Sequence, residues 1–448
     1  MISHLKRQWK RLQSGSAGWA LGDQAIASGV TFLTGLLIAR LVGPEQFGVF
    51  GLLMMVVLFF NSIQYALIVS PMLSIGPQLP EQDQRAFYAA QGCAALLLII
   101  VSTLLTLAGS SVLAAVEPKW RIDGYLMALT AAVACVQLHE FYRRYFFASG
   151  EPKRAGASSM WRYSLQGIGL VVLFVSDVTD LNVLFWLVAA SALIGGGLAH
   201  RHDRLVGFHF EALRRFRERT WITGRWIFGS TILQWLTGNY FAVVAGVVIG
   251  PIAVGALRAV QQLLAPIQIV TLAATNVIPV IAAEKLKSGG VREMNWFLLK
   301  VSVSGGIVTA VIGVILTLGG DFWLVFLFGS KFSGYGYLIP WLSAALLLFY
   351  WELPLQAGLR ALEDTRALFY GYVFAAICSL IFAHWLIQAW GIEGAAVGIM
   401  LSHVIFAASQ LFGLHKACKN RVEGLTEATR CVASHSEAAV KADPTNAD

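Results

Sequence analysis

Apolar runs of about 18 residues or more, each able to cross the ~30 Å hydrocarbon layer of a bilayer, recur along the whole of this chain. Such runs leave few folds open, because backbone in lipid must satisfy its own N–H and C=O groups in helices or a closed barrel. A barrel would alternate polar and apolar residues in segments of about ten. Here the runs are continuous, and 57% of the 448 residues are hydrophobic against 13% charged. The class is therefore an all-α, polytopic membrane protein rather than a soluble one. We mark twelve spans, at 17–42, 46–74, 84–108, 124–148, 156–177, 181–200, 224–249, 255–280, 296–318, 336–357, 367–389 and 393–415. The basic stretch Met1 to Ser16 leads into a span too long for a signal peptide, with no A-x-A-like site behind it, which predicts an uncleaved first helix.

Charge follows topology. With the N-terminus in the cytoplasm, all but five of the 33 lysines and arginines fall on the inner side, the exceptions being Arg40, Lys119, Arg121, Arg258 and Lys331. That is the positive-inside bias, so the net charge of +8 reflects orientation and no nucleic-acid surface is implied. Both termini are then cytoplasmic. The segments divide as a basic N-terminus (1–16), an N-lobe of helices 1–6 (17–200), a basic linker (201–223), a C-lobe of helices 7–12 (224–416) and a polar tail (417–448) expected to be disordered. In the linker, Phe208, Phe210, Leu213 and Phe216 alternate with arginines, which fits either an amphipathic helix on anionic lipid or a solvated connection. The five cysteines show no C-x-x-C and no metal spacing, so reduced, structural thiols and no metal site are expected.

A helical hairpin is written twice. The hinge Arg40-Leu41-Val42-Gly43-Pro44-Glu45-Gln46-Phe47-Gly48 returns 207 residues later as Val247-Val248-Ile249-Gly250-Pro251-Ile252-Ala253-Val254-Gly255. At that offset Trp19 meets Trp226, Gly22 meets Gly229, Gly43 meets Gly250, Pro44 meets Pro251, Gly48 meets Gly255, and polar Asn61 meets polar Gln268. One glycine–proline match is weak in an apolar chain; the whole set in register reads as an internal repeat. With six spans per half, both copies start on the same side, so the repeat is parallel, and two six-helix lobes around a central cavity are expected.

Polar residues inside the spans are the candidate site. On the second helix of the second copy, Arg258, Gln261, Gln262, Gln268, Thr275 and Asn276 fall on one face at helical spacing. The first copy carries Asn61 and Gln64, and the helix before Arg258 carries Asn239. Such residues either wall a wet cavity or bond helix to helix. Arg258 and Arg40 lie near outer helix ends, where a guanidinium either snorkels or forks onto a phosphate. Asp23, one turn into the membrane, is either an ion carrier or the partner of an arginine. In Leu138-His139-Glu140-Phe141-Tyr142-Arg143-Arg144, the i, i+4 pair Glu140 and Arg144 reads as a local ion pair or, with Arg143 and Arg162, as an inner gate. Glu352 precedes Pro354 and is a candidate cation site beside a freed carbonyl, while His384 and His403 read as packing histidines. No G-x-S-x-G, H-E-x-x-H, Walker loop or dinucleotide fingerprint is present, which points away from an enzyme and from any cofactor.

The hinge and its echo resemble a known family. The run from Gly22-Asp23-Gln24 through Ala39-Arg40-Leu41-Val42-Gly43-Pro44-Glu45-Gln46-Phe47-Gly48 looks like the opening of the polysaccharide-export flippases, the oligosaccharide-lipid branch of the superfamily that also holds multidrug-and-toxin extruders and the lipid II flippase. Gly250-Pro251, Gly255-Ala256-Leu257-Arg258 and Gly391-Ile392-Glu393-Gly394-Ala395-Ala396 resemble later hinges of that branch, so the likeness spans about 15–415. The resemblance implies a bacterial inner-membrane flippase that moves a polyprenyl-pyrophosphate-linked oligosaccharide by alternating access for exopolysaccharide, capsule or O-antigen synthesis. It implies glycosyltransferases and a polysaccharide polymerase as working partners, and Arg258, Arg40 and Arg162 as pyrophosphate candidates. A cation-coupled exporter of the same fold and a membrane polymerase or ligase are the alternatives; a polymerase would need a longer outer loop than any seen here.

Overall fold

The computed structural model describes residues 16–116, 122–203 and 205–441. The basic segment before Ser16 and the outer cations Lys119 and Arg121 lie outside them. The described residues form helices and turns with no strand. In chain order these are α1 (Ser16–Val42), α2 (Pro44–Gln64), α3 (Glu81–Val116), α4 (Leu126–Ala148), α5 (Pro152–Val175), α6 (Leu181–His202) and α7 (Phe210–Val248). They continue with α8 (Pro251–Leu263), α9 (Ala265–Gly319), α10 (Asp321–Phe328), α11 (Ile339–Ala361) and α12 (Thr365–Lys441). Among the described residues, eight helical stretches are long and apolar enough to cross a membrane.

Glycine and proline set the breaks. Gly43 and Gly250 both take positive φ, 83° and 121°, a region that favours a residue without Cβ. Each is followed by a proline that opens the next helix, where its missing N–H costs nothing. The 55-residue α9 is broken at Gly289 and Gly290 (φ 69°), and the 77-residue α12 at Gly391 (φ 61°). After Gln64 the α2 helix widens into a π-helical turn, Tyr65–Val69, before Ser70–Ile75.

Two compact units result. Unit 1 comprises residues 1–263, 321–336 and 386–395. Its core includes Phe87, Phe141, Tyr142, Phe146 and Phe216, with Tyr142 Oη 2.6 Å from His200 Nδ1 and Tyr145 donating to Asp203 at 2.5 Å. Inside this unit the two repeat copies touch at equivalent residues. A Cβ on Gly48 would come within 1.7 Å of the Pro251 carbonyl oxygen, and one on Gly255 within 1.8 Å of that of Pro44. The contact is reciprocal, as a two-fold relation between copies requires, and only glycine lets the backbones approach so closely.

Unit 2 comprises residues 264–320, 337–385 and 396–448. Its core gathers Ile278, Met294, Leu298, Leu359 and Leu414. Tyr350 donates to the Val301 carbonyl at 3.3 Å and Trp351 to that of Ser302 at 3.2 Å, tying α11 to α9.

Local expectations change in three places. Of the two readings of the 201–223 connection, the helical one is seen from Phe210, but this helix rests on protein: Phe216 packs edge-on against Phe87 at 5.3 Å and Arg215 pairs with Asp83 at 2.8 Å, which anchors the start of α7 on α3. The tail expected to be disordered from 417 continues α12 to Lys441; past Gly424 it holds no glycine or proline before that point. Residues 442–448 lie outside the described set. The outer connection near 319–335 carries a further helix, α10.

Candidate functional site

Four charged side chains from three helices meet in the interior of unit 1. Arg143 of α4 donates to Asp23 Oδ2 of α1 through Nε at 2.8 Å and Nη2 at 2.5 Å, and through Nη1 to Glu140 Oε2 at 3.1 Å. Glu140 Oε1 accepts from Arg162 Nη1 of α5 at 3.0 Å, and that nitrogen also lies 2.8 Å from His139 Nδ1. The side chains of Asp23, Arg143 and Arg162 are 1%, 6% and 9% exposed, so these charges are compensated by one another and not by water. Small residues permit the approach: a Cβ on Gly195 would lie 2.8 Å from His139 Cδ2. Arg144 sits at the rim, its Nε 3.9 Å from Glu140 and its guanidinium over the Tyr65 ring. The i, i+4 pair is thus the weakest of the links to Glu140, because Arg143 and Arg162 approach it from inside.

Amides extend the buried polar interior. Gln64 donates to the Gln137 carbonyl at 3.1 Å, Gln137 to Ser102 at 2.6 Å, and Gln166 to Thr34 at 3.0 Å. Asp23 Oδ1, His139 Nε2, Arg162 Nε, Gln166 Oε1 and Asn61 Oδ1 are buried without a protein partner. These are helix-to-helix bonds in unit 1, which is the gluing arrangement for Gln64.

A second cluster surrounds Arg258 on α8. Its Nη2 donates to Asn239 Oδ1 of α7 at 3.0 Å and its Nη1 to Gln261 Oε1 at 3.1 Å. Gln262 donates to the Phe32 carbonyl of α1 at 2.5 Å, against Gly35, where a Cβ would collide with the amide. Among the described residues no carboxylate lies within ion-pair distance of Arg258. Arg40, by contrast, is spent on structure: it donates to the Phe326 carbonyl and to that of Leu327 at 2.6 Å, capping the end of α10.

The polar face expected to run unbroken from Arg258 to Asn276 is interrupted, because α8 stops before Leu264 (φ −81°, ψ 7°) and α9 starts anew at Ala265-Pro266. Gln268 is exposed on α9, and the side chain of Asn276 lies outside the described residues. Glu352, in unit 2, is paired with His403 Nδ1 at 2.8 Å. Gln137 and Gln166 are site residues that local pattern did not single out, and His403, read there as a packing histidine, is an acid's partner; the signal available for each was only a polar side chain inside an apolar span.

No family model matches the sequence, and no curated protein does. Solved structures do resemble it. A multidrug resistance MATE family transporter of the MOP superfamily, in an inward-facing conformation, superposes with a TM-score of 0.68 at 14% identity over 90% of this chain and 96% of that one. The fold is that of the MOP-superfamily transporters. The lipid II flippase MurJ, in an inward closed conformation, matches with a TM-score of 0.62 at 12% identity over 88% of each chain. A MOP superfamily transporter from Pyrococcus furiosus, described as having a binding pocket of reverse polarity, matches at 0.62 and 14% over 90% of this chain and 94% of that one.

Proposed function

We propose that this protein is a flippase for a polyprenyl-pyrophosphate-linked oligosaccharide, working by alternating access across a bacterial cytoplasmic membrane in polysaccharide synthesis. The helical breaks at Gly289–Gly290 and Gly391 allow twelve spans in two repeated halves of six, and both termini are assigned to the cytoplasm from the inward bias of lysine and arginine.

The observation that carries this reading is the charge balance of unit 1. Asp23 and Glu140 are matched by Arg143 and Arg162, whereas Arg258 is held by the neutral oxygens of Asn239 and Gln261. A site built for organic cations would leave a carboxylate uncompensated. This one leaves a guanidinium, whose planar fork suits phosphate oxygens, among amides that suit sugar hydroxyls. The likeness to a lipid II flippase supports the same class of cargo. Glycosyltransferases and a polymerase would supply and consume the cargo, so this chain needs neither enzymatic motif nor cofactor.

The test is Arg258→Ala in the native host. Export of surface polysaccharide should fall about tenfold or more, the equivalent of one charge-assisted contact, while the protein stays at normal level in the membrane and lipid-linked oligosaccharide accumulates. Unchanged export at normal protein level removes Arg258 from the mechanism. Increased sensitivity to cationic drugs, with unchanged polysaccharide, replaces the cargo.

A further inference from the structure

A hydrocarbon-lined cavity of about 460 Å³ lies in unit 1 beside the Arg258 cluster. Helices α3 and α7 are tied together at one level by Phe87 against Phe216, by Asp83 with Arg215, and by Gln91 donating to Thr220 at 2.9 Å. About four turns further along each helix, the cavity occupies the space between them. Its wall includes Leu52, Val56 and Phe59 of α2, Leu105 of α3, and Trp235 and Val243 of α7. Phe59 meets Trp235 edge-on at 4.8 Å, and the hydroxyl in the wall, that of Thr106, is spent on the Ser102 carbonyl at 2.7 Å. Leu105 and Val247 line the cavity and are also 56% and 57% exposed, so it has an open side on the outer surface of the helices. Water finds nothing to bond in such a space. Since α2, α3 and α7 are among the stretches able to cross a membrane, what reaches that open side is lipid hydrocarbon.

A polar end adjoins this slot. On α7, Trp235, Asn239 and Val243 stand at i, i+4 and i+8, on one face. The first and last line the cavity, while Asn239 between them accepts from Arg258 Nη2 at 3.0 Å and donates to the Trp235 carbonyl at 3.1 Å. On α2, a Cβ on Gly51 would stand 3.4 Å from Arg258 Cγ, and the next residue, Leu52, lines the cavity. A guanidinium fork and a hydrocarbon slot thus share two helix walls about one turn apart. We propose that this slot holds the polyprenyl chain of the cargo while its pyrophosphate engages Arg258. The inference rests on the flippase reading of Arg258 and adds to it the place of the lipid tail.

Shape favours a polyprenyl chain over bulk phospholipid. Residues 235–247 cover about 18 Å of α7, and spread over that length the cavity is a slot about one chain wide. A phospholipid with its phosphate at Arg258 would bring two chains on one glycerol, and a polyprenyl pyrophosphate brings one. Lipid tails are as apolar as the slot, so moving a chain into it gains position and packing contacts and no hydrophobic free energy. Position is what a flippase needs, since a tail held against α2 and α7 keeps the charged head beside Arg258. In the orientation proposed above, Val49, Gly109, Leu129 and Val247 all fall in the outer halves of their helices, which sets the slot at the depth of the outer leaflet. The slot therefore serves the release side of the transport cycle.

The experiment uses the purified full chain in vesicles of phosphatidylethanolamine and phosphatidylglycerol. The probe is a sugar-free polyprenyl pyrophosphate with a photoreactive group on its chain, and the control is a phosphatidylglycerol with the same group on one acyl tail. After illumination the adducts are mapped by peptide mass spectrometry. The polyprenyl probe should label 101–109 of α3 or 235–247 of α7, and unlabelled polyprenyl pyrophosphate should compete it away. Gly109 lines the slot with nothing within 4 Å of where a Cβ would stand, so Gly109→Phe fills the slot from its edge without a clash, and Gly109→Ala leaves it open. Labelling should fall about tenfold or more in the first and persist in the second. Wild-type adducts mapping elsewhere, labelling unchanged in Gly109→Phe, or equal labelling by the phosphatidylglycerol probe overturns the proposal. The two readings fail separately: a slot labelled as expected beside normal export in Arg258→Ala sinks the head-group reading alone, and Arg258-dependent export with an unlabelled slot sinks this one alone.

Discussion

Two regions of this molecule bury carboxylates among packed helices, and they neutralise them with different chemistry. In unit 1, Asp23 and Glu140 are met by the forked, permanently charged guanidinium groups of Arg143 and Arg162. In unit 2, Glu352 is met by one imidazole. The first arrangement holds its charge at any physiological pH and so acts as a clamp between α1, α4 and α5. The second pairs the acid with an imidazole, a group that is a cation only when protonated. Burial is similar in both regions; the partner decides whether a buried acid is a fixed joint or a sensor.

The largest effect should come from breaking the joint. Arg143→Ala leaves Asp23 as an isolated buried anion, and removing one partner of such a pair typically costs about 3–5 kcal/mol. The measurement is thermal or denaturant unfolding in a mild detergent, alongside protein level in membranes. Changing both residues, Asp23→Leu with Arg143→Leu, should recover most of that loss, since neither charge is then left alone. If the single variant unfolds like the wild type, the cluster is not the clamp that its geometry describes.

A sharper probe moves the chemistry of one region into the other. Arg143→His puts a titratable cation opposite Asp23. An imidazole stabilises the pair while it carries its proton and stops doing so as the pH rises past its titration, so the stability deficit should be smaller at pH about 5 than at pH about 8, by about 1–2 kcal/mol. The wild-type joint should show no such difference over that range. A flat profile in the variant would mean that water, and not the facing residue, neutralises Asp23.

Much of the scaffold was legible in the sequence for a local reason. Spans announce themselves because a bilayer demands about 20 apolar residues in a row, and the hinges do so because Gly43-Pro44 and Gly250-Pro251 are adjacent residues whose geometry is intrinsic. The repeat offset even placed Gly48 on Gly255, the pair that the fold brings into contact. The charge partners were not legible. Asp23 and Arg143 are 120 positions apart and Glu352 and His403 are 51 apart, so which arginine or histidine meets which acid depends on helix packing that no periodicity encodes. Glu140 shows the hazard: its expected neighbour at i+4, Arg144, does pair with it, at 3.9 Å from the rim, yet the closer partners are Arg143 and, from another helix, Arg162. The long polar face of α8 and α9 failed for a different reason, since helical spacing was extrapolated through Leu264, where the backbone leaves the helix.

A third ion pair sets the lower bound of the comparison. At the break in α9, Lys285 hydrogen-bonds Glu293, which also accepts from Ser288 Oγ at 3.2 Å across the Gly289–Gly290 turn. The lysine holds the Glu293 carboxyl below its usual range. A carboxyl whose pKa is lower folded than unfolded favours the folded turn above its unfolded value, near 4.3, and loses that contribution as the pH falls through the folded value. The pair is exposed, so water and salt screen it, and its loss should be the mildest of these effects. Glu293→Gln should leave overall unfolding unchanged within error and only speed hydrogen exchange at amides 285–293 at neutral pH, a difference that should shrink below pH about 4. Exchange in this turn as slow in the variant as in the wild type at neutral pH would show that the two glycines alone, through their backbone geometry, hold it closed.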